Sequence, residues 1–178
     1  MRLLVAQDKY DTAKVYKLAL KHKGHRVTLT ATGEDCLKSY NDRLQDIMLH
    51  TDPKEHVQPF DAVILDYKMP KMNGLEVAKE ILAVNPYQRI IFTSTYVKGK
   101  LKDSVPQLKQ RIEILNKPFS EQDLVDKVED EHIYSALKEL NVNIDDIKKA
   151  RLRHEQLRDI LCILKRARKQ NQKEVSNH

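Results

Sequence analysis

Ala62-Val63-Ile64-Leu65-Asp66-Tyr67-Lys68-Met69-Pro70-Lys71-Met72-Asn73-Gly74-Leu75-Glu76 is the stretch that decides the fold of this 178-residue chain. Four consecutive apolar residues closing on a carboxylate read as a strand buried on both faces, as in a parallel sheet. Pro70 and the Asn73-Gly74 pair then punctuate the chain before residues 75–82, whose apolar spacing is helical. Asn73-Gly74 is expected to be a structural turn feeding that helix, with Gly74 supplying a positive φ. Parallel strands need crossovers of this strand, turn and helix kind.

The same alternation extends in both directions. Leu3-Leu4-Val5-Ala6 is a second buried run, followed by Gln7 and Asp8. Residues 11–23 carry Ala13, Val15, Leu18 and Ala19 at roughly helical spacing, and Gly24 follows as a stop signal. Residues 25–30 alternate with period two; Glu34 to about Met48 reads as a helix, and Ile90-Ile91-Phe92 as a buried strand. A weaker helix is expected over 97–109, interrupted by Pro106, then a fifth strand over 112–115. Ser120 opens a fifth helix, with Asp123 three residues on in a capping-box arrangement. Five strands and five helices predict an α/β fold: a doubly wound five-stranded parallel sheet over residues 1–131, with helices on both faces.

Residues 132–178 carry no strand signal and are expected to form a C-terminal α-helical extension. Asn141-Val142-Asn143 marks a break or N-cap before Ile144. From there Ile147, Ala150, His154, Leu157, Leu161 and Leu164 form a narrow heptad-like seam, with His154 as a polar residue at a core position. Docking on the chain's own surface and pairing with a second chain both suit this seam; pairing, as a coiled-coil homodimer, is the preferred reading. The stretch after Ala167 is apolar-poor and is expected to fray.

Composition excludes several classes. Low Gly and Pro (4 and 6) rule out collagen-like and low-complexity chains. No stretch approaches the ~20 apolar residues of a membrane span, and the apolar start breaks at Gln7-Asp8, too early for a signal peptide. Cys36 and Cys162, far apart and without CxxC spacing, fit a reducing, cytoplasmic setting. The net charge of +6 invites a nucleic-acid reading. It is unevenly placed: residues 1–131 hold 21 basic and 20 acidic side chains, and residues 132–178 hold 11 and 6. The excess therefore describes the extension, and nucleic-acid binding through the basic tail is a minor alternative.

Three strand ends carry groups that can meet, since working residues of doubly wound sheets gather at the C-terminal strand ends. Asp8 follows the first strand, Asp66 ends the third and Lys117 follows the fifth, while Thr93, Ser94 and Thr95 end the fourth. Two nearby carboxylates favour a divalent cation, and with few protein oxygens on offer Mg²⁺, which keeps its waters, is the expected ion. A lysine and a hydroxyl opposite suit the oxygens of a phosphoryl group.

At this point the run from Leu65 to Glu76 resembles the phosphoacceptor loop of response-regulator receiver domains, flavodoxin-like modules of two-component signalling. Lys117-Pro118-Phe119 resembles the same family's Lys-Pro-Phe, and the likeness covers roughly residues 1–130. The resemblance implies that Asp66 takes a phosphoryl group from a sensor histidine kinase. It implies that Asp8, Asp66 and the backbone carbonyl of Lys68 bind Mg²⁺, and that Lys117 pairs with the phosphoryl oxygens. Ser94 matches the hydroxyl that moves toward the phosphate, with Thr93 the choice if the register slips by one. Lys68 and Tyr96 match positions that tune the lifetime of the acyl phosphate. Such a protein promotes its own phosphoryl transfer and dephosphorylation and is not an enzyme acting on a separate substrate; its signal passes to a downstream protein partner.

Two positions depart from the family. Gln7 replaces a first acidic residue, so Mg²⁺ is expected to bind more weakly. Ile114 replaces a switching aromatic residue. Both motivate an alternative, a receiver-fold scaffold or oligomerisation module that phosphorylation does not regulate. The connection over 47–59 is also longer than the family's usual one, and such extensions are often binding surfaces.

Overall fold

The computed structural model describes residues 1–52, 57–95, 112–150 and 152–175. The helix expected over 97–109 and Tyr96 lie outside them. The described elements are β1 (Arg2–Ala6), α1 (Tyr10–His22), β2 (Arg26–Thr30), α2 (Gly33–His50), β3 (Ala62–Asp66), α3 (Gly74–Val84), β4 (Ile90–Ser94), β5 (Ile112–Asn116), α4 (Glu121–Glu139), α5 (Ile144–Lys149) and α6 (His154–Val175). All four strand pairings are parallel, in the order β2-β1-β3-β4-β5. β1 and β3 are interior and adjacent, so the order of strands reverses beside them. That reversal places the ends of β1 and β3 next to each other.

Alternation sorts the buried strands onto two faces. Leu4, Ala6, Val63, Leu65, Ile90 and Phe92 pack with Cys36 and Tyr40 of α2 and Val77, Ala78 and Ile81 of α3. Leu3, Val5, Ile64 and Ile91, equally buried, point the other way. The buried face of α1 is Ala13, Tyr16, Ala19 and Leu20. Val15 and Leu18, expected inside, are 40% and 47% exposed, because the helix phase that seats Tyr16 turns them outward.

Local signals behave as the residue chemistry demands, with one exception. Asn73 caps α3 in a full capping box with Glu76. Ser120 and Asp123 cap α4 reciprocally, and the bonds from the Ser120 backbone and hydroxyl hold the Asp123 carboxyl below its usual range. Gly24 ends α1 at φ +80°. Gly74 is the exception. It does not take a positive φ; it is needed because a Cβ there would lie 2.4 Å from the backbone oxygen of Asp66. The turn packs against the strand it left, and that contact excludes any side chain.

Of the longer connection over 47–59, residues 53–56 lie outside the described residues; its first part is extra helix reaching His50, with Met48 and Leu49 exposed. Its return is pinned by polar bonds: Asn85 Nδ2 donates to Gln58 Oε1 and to the Tyr40 hydroxyl, which itself donates to buried Gln88.

Two compact units divide at Val125/Asp126. The boundary read from sequence, 131/132, falls inside α4, which runs unbroken to Glu139. In the second unit Ile133, Leu137 and Leu157 form a small core, with Ile147, Ile160, Leu161 and Leu164 packed against it. The expected seam is thus split between α5 and α6 and is occupied within the chain; Ala150 lies exposed between the two helices. Asn141, at φ +61°, ends α4, and Asn143 Oδ1 accepts from Asp145 N at the start of α5. α6 continues to Val175, past Ala167, on residues that favour helix. His154 packs among carboxylates of α4: Nδ1 lies 3.0 Å from Asp130, and Nε2 3.5 Å from Glu129 and 3.8 Å from Asp126.

Two stability predictions follow from these contacts. Gly74→Ala should lose about 1–3 kcal/mol in urea unfolding, since neither backbone segment can yield cheaply; an unchanged midpoint would contradict the close approach. Burial pushes the Cys36 thiol from 9.0 up to about 12, with a bond to Thr30 opposing the shift. Below pH 9 both folded and unfolded states keep the proton. Between about 9 and 12 the unfolded chain loses it first, so stability falls as pH rises. Cys36→Ala should remove the part of that alkaline limb that begins near pH 9 in pH-dependent unfolding, leaving the part from about pH 10 that buried Tyr16 and Tyr40 contribute in the same sense.

Candidate functional site

The candidate site is built on adjacent strand ends. Asp66 is the last residue of β3 and only 7% exposed, so its carboxylate depends on protein donors. Lys117 Nζ lies 2.8 Å from Asp66 Oδ2, and Gln7 Nε2 donates to the same oxygen at 2.9 Å. The other oxygen, Oδ1, accepts a long 3.3 Å bond from Lys68 N. Asp66 is thus asymmetric: one oxygen holds two nitrogen donors, and the other is lightly engaged.

The supporting backbone explains why these groups meet. Lys117 N donates to Ser94 O at 2.8 Å, joining the ends of β4 and β5 and starting the lysine toward the third strand. Tyr67 N donates to Thr93 O at 3.1 Å, fixing the exit of the chain after Asp66. Gln7 is 1% exposed, and its Oε1 accepts from Lys9 N at the approach to α1.

The other sequence candidates fall as follows. Asp8 is exposed, one residue beyond Gln7. Lys68 is exposed, with its backbone N–H turned to Asp66. Thr93 is the register partner of Asp66 and Ser94 lies one step beyond; both hydroxyl residues are buried. Thr93 Oγ1 has no hydrogen-bond partner among the described residues, whereas Ser94 is engaged. Ile114 pairs with Phe92 in the ladder and packs on the α2/α3 face of the sheet.

Tyr16 is a residue that sequence reasoning passed over. It is buried, and its ring stacks on Phe119 with centroids 5.5 Å apart. Burial and then the negative charge of Asp66 push its hydroxyl up to about 12; the Thr93 hydroxyl tempers this from nearby without meeting hydrogen-bond geometry. A helical phase centred on Ala13 and Leu20 would have found it.

The donor set suits a hard divalent cation in chemical type. Asp8 and Asp66 offer carboxylate oxygens, and no nitrogen or sulfur ligand is needed. Among the described residues no group of three or more His, Cys, Asp and Glu side chains is arranged to hold a metal ion, so bound waters would complete such a site. Gln7 contributes no oxygen toward Asp66, because its carbonyl end is turned to Lys9. Among the described residues, no helix is long and apolar enough to cross a membrane.

Comparison with known proteins agrees with this architecture. The chain is 28% identical over 128 residues to the response regulator receiver protein CpdR of Brucella abortus, covering 72% of this chain and 93% of that protein. It is 27% identical over 130 residues to chemotaxis protein CheY1 of Helicobacter pylori, covering 72% and 94%. Among solved structures, a CheY-like receiver domain protein from Methanospirillum hungatei aligns with TM-score 0.58 at 21% identity, covering 73% of this chain and 91% of that one. The CheX-CheY-BeF3-Mg complex of Borrelia burgdorferi aligns with TM-score 0.60 at 22% identity, covering 74% and 89%. These structural likenesses concern the fold. The family model for the response regulator receiver domain matches residues 3–129, and with it the chain belongs to the receiver domain family of two-component response regulators.

Proposed function

We propose that this receiver works as a phosphorylation-dependent switch in the cytoplasm, accepting a phosphoryl group on Asp66 from a sensor histidine kinase. The observation that carries this reading is the convergence of Lys117 and Gln7 on one oxygen of a buried aspartate at a parallel strand end. A carboxylate oxygen of Asp66 attacks phosphorus and forms the O–P bond. The P–N bond of the phosphohistidine breaks, its electron pair returning to the imidazole nitrogen. Lys117 keeps a positive charge where negative charge spreads over the phosphoryl oxygens. Ser94 supplies a hydroxyl from the neighbouring strand end.

Mg²⁺, when held by Asp8, Asp66 and the Lys68 carbonyl, would neutralise charge on the phosphoryl group. The new charge at Asp66 biases a pre-existing two-state segment, and the change is read by a downstream protein partner. Ile114 cannot provide a hydroxyl-bearing ring, whereas Tyr16 and Phe119 form an aromatic pair within reach of the charge at Asp66. Leu157 of the α6 seam is buried in the small core of the second unit and Leu161 and Leu164 pack against it partly buried, which leaves less apolar surface for pairing of two chains.

The experiment is incubation with acetyl phosphate and Mg²⁺, followed by intact mass. The expected product carries one phosphoryl group and is absent in Asp66→Ala; an adduct that survives this substitution, or none in the native chain, favours the unregulated scaffold. Lys117→Ala should slow adduct formation by about a hundredfold. Ser94→Ala should shift the kinetics of the adduct while Thr93→Ala leaves them unchanged; the reverse pattern would assign the hydroxyl to Thr93.

A further inference from the structure

Gln7 does more than withhold a charge. Its amide is oriented by both ends: Oε1 accepts from Lys9 N at 3.1 Å, which leaves Nε2 facing Asp66 as a donor. Nε2 and Lys117 Nζ, at 2.9 and 2.8 Å, together supply two donors to Oδ2, as many as a carboxylate oxygen has lone pairs. Gln7 is also 1% exposed, so breaking its bond to Asp66 leaves a buried amide N–H in need of a new acceptor. A cation drawing on Oδ2 therefore meets an oxygen already committed to the protein, while Oδ1 keeps only the long bond from Lys68 N.

We propose that Gln7 is a positioning residue that competes with the divalent cation for Asp66, holding the carboxylate in the metal-free site and having to be displaced, or weakened, when the cation binds. The inference rests on the reading of Asp8 and Asp66 as the cation site. It separates two accounts of the same substitution. If Gln7 were merely a missing carboxylate, trimming its side chain would leave cation affinity as it is or reduce it. If Gln7 competes, trimming it must tighten binding, although no ligand has been added. The same clamp keeps Oδ2 occupied by protein donors and leaves Oδ1 as the oxygen open to phosphorus.

The test is a Mg²⁺ titration of the full chain, followed through backbone and side-chain amide NMR shifts, for the native protein, Gln7→Ala, Gln7→Leu and Gln7→Asp. Gln7→Leu keeps most of the buried volume should Gln7→Ala fold poorly. The expected result is that Gln7→Ala and Gln7→Leu each lower the Mg²⁺ dissociation constant by at least about threefold, as removal of one charge-assisted bond requires. Gln7→Asp should lower it further, and the Gln7 side-chain amide signal of the native protein should move as Mg²⁺ saturates. Equal or weaker binding in both apolar variants would overturn the competition, as would a Gln7 amide signal indifferent to Mg²⁺. Asp8→Ala tells this failure from the failure of the site itself. Native binding that is lost in Asp8→Ala, without tightening in the Gln7 variants, sinks the clamp alone. Mg²⁺ binding that is absent throughout, or that does not depend on Asp8, sinks both.

Discussion

A carboxylate that is 7% exposed at the end of a fully buried strand cannot stand without donors, and the arrangement around Asp66 answers that constraint. Lys117 comes from beyond β5, Gln7 from beyond β1 and Lys68 N from the loop itself. Each donor is available because parallel strands end together at one edge. The order β2-β1-β3-β4-β5 puts β1 and β4 on either side of β3, so Gln7 is next to Asp66 and Lys117 crosses from one strand further away. The loop after β3 is pressed so closely on its own strand that Gly74 has no room for a Cβ. Sheet order, loop packing and site electrostatics are therefore one arrangement seen at three scales.

The parts legible in the sequence were those set by local chemistry. Apolar runs such as Val63-Ile64-Leu65 and Ile90-Ile91-Phe92 announce strands buried on both faces, and the expected strands were found within a residue or two of their ends. Capping at Ser120 was equally readable, because its side chain bonds to backbone three residues on; Asn73 was read only as a turn, and its cap on α3 came with the structure. Asp66 and Lys117, singled out by their places at strand ends, meet at 2.8 Å. What escaped depends on contacts between distant residues. The reason for Gly74 is a strand eight residues earlier, not its own φ. The direction of the Gln7 amide depends on Lys9 and Asp66 together. The inward face of α1 was misjudged because Val15 and Leu18 look like core residues, while a phenol does not.

The extension shows the same limit at larger scale. A heptad-like spacing from Ile147 to Leu164 cannot distinguish a long pairing helix from two shorter ones that fold back. Here α5 and α6 place these residues around Ile133 and Leu137, and the break between the helices interrupts the seam. His154, at an apparent core position, packs against three carboxylates spaced three and four residues apart on α4. The polar residue in the seam thus matches a charged stripe on a helix of the same unit.

The Tyr16–Phe119 stack has an optical consequence. The chain has no tryptophan and seven tyrosines, so its near-ultraviolet signal is carried by phenol rings. One of those rings is buried, stacked on the phenylalanine that follows Lys117-Pro118, and sensitive to the charge on Asp66. A phenol in an asymmetric, rigid setting contributes strongly to circular dichroism, while the exposed rings of Tyr10 and Tyr87 average toward silence. The fold has thereby placed a native chromophore beside its own charge centre, in a near-ultraviolet signal that it shares with the equally buried Tyr40.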